Sequence, residues 1–389
     1  MFPSLPRGAV SHPEGPRGAV DFPPLHPLSP ARETVRYGAF RVSPIVVVMG
    51  SYSDGNIGDS SIWQEDILGS DYQSMAIPLG SDPDNETDVY ATLIRFLPDG
   101  TEIEEFYQRP ALMWVHGMTD YFFHTEFAEF FHSQGFAIYA LDLRKCGRSH
   151  RPGQLWHYVS DLSFYFPDLD AASEIITSRH PKFFPVAHST GGLIVPLWLD
   201  QVRRTSPEQH SRVTGLVLNS PWLDMMHPPQ LVKIARPVIN WLGRTQPRRI
   251  LPSDGLGTYG RSIHRDHQGE WNFDVTLKPV EGHRKNFGWL RAIMAGHMAI
   301  HRDKVNVGID ILTLCSATSW FVRKDGPEIH SSDTVLDVEH IKKWSPHLSQ
   351  PRSRVTVRAL EGARHDVFLS LKPVREQAQV IMLKWLEER

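Results

Sequence analysis

The sequence predicts an α/β chain, a mostly parallel sheet with helices on both faces and an inserted, mainly helical segment. Three observations predict it. From about residue 111, short and nearly continuous apolar runs alternate with longer stretches of helical period, the pattern of βαβ units whose strands are covered on both faces. One run, Phe184-Pro185-Val186-Ala187-His188, passes through Ser189-Thr190-Gly191-Gly192 straight into a helical stretch. The alternation stops near Asp224 and resumes near Ile309.

Composition sets the outer bounds. The 389 residues are 41% hydrophobic, 10% aromatic and 22% charged, an ordinary globular balance able to bury a core in one large domain with an insertion or in two to three domains. A net charge of −3, a pI near 6.7 and no long Lys/Arg block argue against nucleic acid as a partner. Cys146 and Cys315 alone make neither a disulfide framework nor a zinc knuckle and suit a reducing compartment. No apolar run approaches the roughly 18 residues that span a bilayer, and Ile45-Val46-Val47-Val48-Met49 lacks a signal-peptide frame. The expectation is a cytoplasmic chain without stable membrane insertion, of unassigned oligomeric state.

In chain order, residues 1–60 are rich in Pro and Gly and carry Pro-Arg-Gly-Ala-Val twice, at 6–10 and 16–20, which reads as a disordered or loosely attached leader. A start at Met49 would remove most of it. Folded structure is expected from Ile62-Trp63 onward. Tyr90–Phe96 alternates like a half-exposed antiparallel strand, and Ala111–Val115 reads as a buried parallel one. Tyr121 to Gln134 has aromatics at helical spacing and ends at Gly135; Phe136–Leu141 is the next strand. A helix over 159–180, the strand 184–188, a helix to about Arg204 and the strand 213–219 follow. Residues 61–223 and 308–389 are thus the two parts of one core, and 224–307 an inserted cap. The second part holds the strand 309–314, a helix near 338–344, the strand 354–360 and a final amphipathic helix over 373–388.

A strand that turns abruptly into a helix holds its apex residue at strained backbone angles, so the residues two before and two after must be small. Here they are Ala187 and Gly191. Ser189 is therefore the candidate nucleophile, with the alternative that it is only an N-cap serine. Serine needs a base, and the base a third group to orient it. His365 follows the last strand in Glu361-Gly362-Ala363-Arg364-His365-Asp366, on a turn able to reach the serine. The acid belongs in the loop after the preceding strand; Asp333 is chosen there, with Asp337 its rival and a helix N-cap the ordinary alternative for either. An oxyanion needs two donors, assigned to the backbone N–H of Thr190 and of Met118 after His116-Gly117. The side chains of His116 and Met118 read as structural or pocket-lining.

Together His116-Gly117, Asp142-Leu143-Arg144-Lys145-Cys146-Gly147-Arg148-Ser149, Ala187-His188-Ser189-Thr190-Gly191-Gly192 and Gly362-Ala363-Arg364-His365-Asp366 resemble the α/β-hydrolase family. The likeness is to its monoacylglycerol lipase, lysophospholipase and serine aminopeptidase-like members. It spans about residues 85–389, omitting much of the cap. Ala187 and Lys145 each stand where the family's runs usually have glycine. The order Ser189, Asp333, His365 is the nucleophile, acid, base order of that family. The resemblance implies hydrolysis of an acyl bond in a small-molecule substrate, with no metal or organic cofactor.

The cap residues Met225, Met226, Trp241, Leu242, Trp271, Phe273, Phe287, Trp289 and Met294 could line an acyl pocket with Tyr121-Phe122-Phe123, or form the cap's own core. His264-Arg265-Asp266-His267 lacks the further ligands of a metal site and reads as a polar loop. The expected activity is a serine esterase or lipase-like hydrolase of esters with an apolar part. An aminopeptidase or amidase, an acyltransferase, and a non-catalytic binding protein stay open. The peptidase reading needs an acidic cluster for the substrate amine, and Asp254, Asp266, Glu270, Asp274 and Glu281 are scattered.

Overall fold

The computed structural model describes residues 62–252, 255–322 and 326–389, with Pro229 by its backbone alone. The leader 1–60 and the start at Met49 lie outside the described residues. The edge of the sheet is β1 (Gln64–Asp66), β2 (Gly69–Pro78) and β3 (Tyr90–Phe96), paired antiparallel. After α1 (Ile103–Gln108) the parallel part begins with β4 (Ala111–Val115), α2 (Thr125–Ser133), β5 (Ala137–Asp142), α3 (Phe166–Thr177) and β6 (Phe183–His188). It continues with α4 (Gly191–Thr205), α5 (Pro207–Ser211) and β7 (Leu216–Asn219). Then come α6 (Pro229–Thr245), α7 (Gly257–Ile263) and α8 (Phe287–His301), before β8 (Ile311–Ser316), α9 (Val338–Trp344), β9 (Val355–Leu360) and α10 (Lys372–Glu387).

Strand order is β1-β2-β3-β5-β4-β6-β7-β8-β9, parallel from β5 to β9. The two-residue strand period explains why these runs are apolar throughout. Ala111, Met113 and Val115 enter one apolar cluster, with α3, α4 and α8, while Leu112 and Trp114 enter the other, with α2 and α10. The chain leaves β4 to one side for β5 and crosses back to its other side for β6. At such a switch point the loops leaving neighbouring strands part, and the crevice they open at the strands' C-terminal ends is where ligands sit.

Besides the short helices α1 and α5, which the sequence reading did not include, three elements differ from it. β2 was not expected, because its residues are mostly part-exposed and its polar Asp71, Gln73 and Ser74 mask the alternation. Residues 121–124 are not helical; the amide of Phe122 instead donates to Asp142 Oδ1 at 3.0 Å. The helix expected from Val159 begins in α geometry only at Phe166, since Pro167 fits a first turn but not a helix interior. A short 3-10 turn, Leu162–Tyr165, precedes it. Within 224–307, α8 packs Trp289, Leu290 and Ile293 into the same cluster as α3 and α4.

Candidate active site

Ser189 sits between β6 and α4 with φ +51°, a conformation that costs an L-residue roughly 1–2 kcal/mol. Its neighbours hold it there: Ser189 N donates to Asn219 O at 3.0 Å and Trp222 N donates to Ser189 O at 2.9 Å. A Cβ on Gly191 would lie 2.6 Å from His116 O and 2.8 Å from Val115 O, so the close crossing of α4 over β4 requires glycine. Ala187, in the other small position, is fully buried in the core with its methyl accommodated.

The loop after β9 brings His365 Nε2 to 3.0 Å from Ser189 Oγ. His365 Nδ1 lies 2.9 Å from Asp333 Oδ2, and Asp333 Oδ1 accepts from Val335 N at 2.8 Å and Leu336 N at 2.7 Å. Asp333 therefore has one oxygen anchored to its own turn and one facing the imidazole. Asp337 is elsewhere employed: it caps α9, accepting from Glu339 N at 3.0 Å. Thr190 and Met118 both border the cavity beside Ser189, and among the described residues the backbone amide of neither donates to a protein acceptor. His116 is a latch for this loop, donating from Nδ1 to Gly117 O at 2.6 Å while its Nε2 accepts from Leu143 N at 3.0 Å.

The run after β5 is scaffold. Arg148 forks onto Asp66 with two 2.7 Å contacts and reaches Asp142 Oδ2 at 2.8 Å. Lys145 adopts φ +61°, the conformation that favours the glycine usual in its place. Its buried ammonium meets Asp82 Oδ2 at 2.7 Å and Glu86 Oε2 at 3.0 Å, which offsets the strain.

Beside His365 lies a second buried carboxylate that the sequence reading did not assign. Asp366 Oδ2 accepts from His124 Nε2 at 2.8 Å, and Asp366 Oδ1 accepts from Asn219 Nδ2 at 2.7 Å and Phe368 N at 3.0 Å. Burial acts to raise its pKa, but the facing His188 and His124 and the donated hydrogen bonds outweigh burial and hold it well below the usual carboxylate range. His188 is kept neutral chiefly by burial, its pKa lowered to about 4.

Ser189, His365, Thr190 and Met118 border a cavity of about 90 Å³. Its apolar lining comes from Trp222, Met226, Leu256, Val335 and Leu336. Of the residues that could have lined an acyl pocket or formed core, Met226 borders the cavity, while Trp271 and Phe273 pack with Tyr121 and Phe123, Phe287 is buried, Trp289 and Met294 join the main core, and Trp241 is 59% exposed. The segment 224–307 also supplies polar lining missed in the sequence: Tyr259, Lys278 and Lys285. His264 lies in a polar turn, its Nδ1 accepting from Asp266 N at 3.2 Å. Among the described residues no group of three or more His, Cys, Asp or Glu is arranged to hold a metal, and no helix is long and apolar enough to cross a membrane.

Residues 108–323 match the family of serine aminopeptidases, S33. The chain belongs to this family. Its fold is the α/β-hydrolase fold, and solved structures share it. A soluble variant of the monoglyceride lipase of Saccharomyces cerevisiae, in complex with a substrate analogue, is similar over 80% of this chain and 94% of that one, at 17% identity and a TM-score of 0.58. The monoacylglycerol lipase of Paleococcus ferrophilus is similar over 77% and 98%, at 20% identity and a TM-score of 0.52. A thermostable carboxyl esterase of Bacillus coagulans, in complex with glycerol, is similar over 81% and 98%, at 15% identity and a TM-score of 0.55. At these identities the likeness is one of fold. No curated protein sequence matches the chain.

Proposed function

We propose that this S33-family hydrolase cleaves carboxylic esters, with Ser189 as nucleophile, His365 as general base and then acid, and Asp333 as the group that orients His365. The observation that carries the reading is the continuous relay from Ser189 Oγ to His365 Nε2 at 3.0 Å and from His365 Nδ1 to Asp333 Oδ2 at 2.9 Å, opening onto an apolar-lined cavity. Serine attacks only as its proton leaves, and the imidazole within hydrogen-bond reach takes that proton while the anchored carboxylate steadies the imidazolium. The tetrahedral oxyanion is received by the amides of Thr190, at the N-terminus of α4, and Met118. The imidazolium returns its proton to the leaving alcohol, and water activated by His365 then releases the acid from the acyl-enzyme.

The segment 224–307 acts as a cap in this proposal. It is tied to the core beside the site: His283 N donates to Thr119 Oγ1, and Asp274 N to the Tyr121 hydroxyl, each at 2.7 Å. An aminopeptidase reading is less well supported, because the acid bordering the cavity, Asp120, is paired with Lys278 at 2.7 Å. The test is hydrolysis of p-nitrophenyl esters from acetate to palmitate beside an aminoacyl p-nitroanilide. Ester turnover is expected to fall by at least about a thousandfold in Ser189→Ala. Fluorophosphonate labelling of the wild type, absent from that variant, is expected alongside. Turnover of the anilide alone, or esterase activity indifferent to the substitution, would overturn the proposal.

A further inference from the structure

The charges around the cavity do not balance. Its lining contains the ionic side chains Asp120, Lys278 and Lys285. Lys278 Nζ lies 2.7 Å from Asp120 Oδ1 with both side chains buried, which leaves a neutral pair. Asp333, behind His365, is already the counter-charge of the imidazolium that catalysis forms. Lys285 is the remainder. Its side chain is part-buried, and among the described residues its ammonium has neither a carboxylate at ion-pair distance nor an acceptor.

Neighbouring histidines add no further positive charge. His157, which feels the charge of Lys285, is neutral, its pKa lowered to about 3 chiefly by burial; His283 is likewise lowered to about 4. A second group is in the same condition. Tyr259 borders the cavity, and its buried hydroxyl has no hydrogen-bond partner. Two donors on residues bordering the cavity, one of them cationic, thus have no acceptor among the described residues. Removing such groups from water is costly unless something else pairs with them, and oxygens bearing negative charge satisfy both.

We infer that the cavity takes an ester carrying an anionic group, a carboxylate or a phosphate, recognised by Lys285 with the hydroxyl of Tyr259. The inference deepens the ester-hydrolase reading and rests on it. It also turns the site away from substrates with an ammonium group, which would meet an uncompensated lysine.

The test compares matched esters. Monoethyl and diethyl adipate place or remove a carboxylate on the acyl part; 1-butyrylglycerol 3-phosphate and monobutyrin place or remove a phosphate on the alcohol part. In the wild type, kcat/KM is expected to favour the charged member of one pair by roughly tenfold or more, as a hydrogen bond to a charged group provides. That ratio is expected to fall to near one in Lys285→Met, to return in Lys285→Arg, and to shrink in Tyr259→Phe. The pair that responds identifies which anion is read. Ratios near one in the wild type for both pairs, or a ratio unchanged in Lys285→Met, would overturn the inference. Calorimetric binding of the same esters to Ser189→Ala separates the two readings. Discrimination there by Lys285, with no ester turned over by the wild type, sinks the hydrolase reading alone. Turnover of neutral esters without discrimination in either assay sinks the anion reading alone.

Discussion

Two acid–histidine contacts lie one residue apart at the end of β9, and they are built for different ends. His365 meets Asp333 at 2.9 Å, with its other nitrogen 3.0 Å from Ser189 Oγ at the cavity. Asp366 meets His124 at 2.8 Å, but its remaining oxygen is taken by Asn219 and Phe368, and the cluster is sealed behind the strand ends. In the proposed mechanism the same pair of side chains is a proton relay where one nitrogen faces the serine, and it is a structural clamp where each polar atom of the carboxylate is filled from within. The clamp lies next to the relay in the chain, so it holds the backbone from which His365 projects.

The comparison is broken most directly at Asp333. In Asp333→Asn the amide oxygen can keep the hydrogen bonds from Val335 and Leu336, but the amide nitrogen then donates to His365 Nδ1. The imidazole proton is driven to Nε2, where it faces the serine and cannot accept its proton. Catalysis is expected to fall roughly 10³–10⁴-fold, about 4–5 kcal/mol of transition-state stabilisation, with the unfolding midpoint little changed. Steady-state kinetics beside thermal unfolding checks it. A loss of stability without a loss of kcat would mean that Asp333 is the clamp and not the orienting group.

The complementary substitution is Asp366→Asn, which gives the clamp one acceptor oxygen where it needs two. A donor of His124 or of Asn219 is then left unpaired in the core, a cost of about 1–3 kcal/mol. The unfolding free energy is expected to drop by that amount, while kcat at a temperature where the variant is folded stays within about tenfold of wild type, as suits a residue that touches no reacting atom. A kcat loss as large as that of Asp333→Asn would erase the distinction between the two contacts.

How far the sequence foretold this arrangement follows from where each side chain sits. Ser189 and His365 lie just past apolar runs, and Asp333 lies in the loop after another, so strand periodicity alone carried them to one sheet edge. Asn219 had a weaker signal, a polar residue closing the apolar strand Leu216-Val217-Leu218. His124 had none, because its partner is 242 residues away. The segment 224–307 was the least legible. Its large apolar side chains could be pocket lining or core, and Trp271, Phe273 and Trp289 are core. The cavity is faced instead by Lys278 and Lys285, whose chemistry, read along the chain, suggests solvent. Which side of a loop faces a cavity is set by tertiary packing, and no local period encodes it.

Stability should also depend on pH around the clamp, because Asp366 and the neighbouring buried His188 respond in different windows. His188 is lowered to about 4 in the folded chain, against about 6.5 for an unperturbed histidine. Between those values the unfolded chain binds the proton and the folded chain does not, so stability is whole above about pH 6.5 and declines as pH falls toward 4. Asp366 is also lowered, and for a carboxylate this means stability present above the unfolded value near 4 and lost only below it. Stability should therefore fall in two successive steps as pH is lowered, that of His188 before that of Asp366. His157, His180, His283 and His297 are lowered as well and add to the first step. Substituting His188→Gln isolates one share of it. The slope of unfolding free energy between pH 6 and 4.5, read by urea titration at each pH, is expected to fall by about 1.1 kcal/mol per pH unit, a little under the equivalent of one proton. A slope unchanged by the substitution would mean that His188 binds the proton as readily in the folded chain as in the unfolded one.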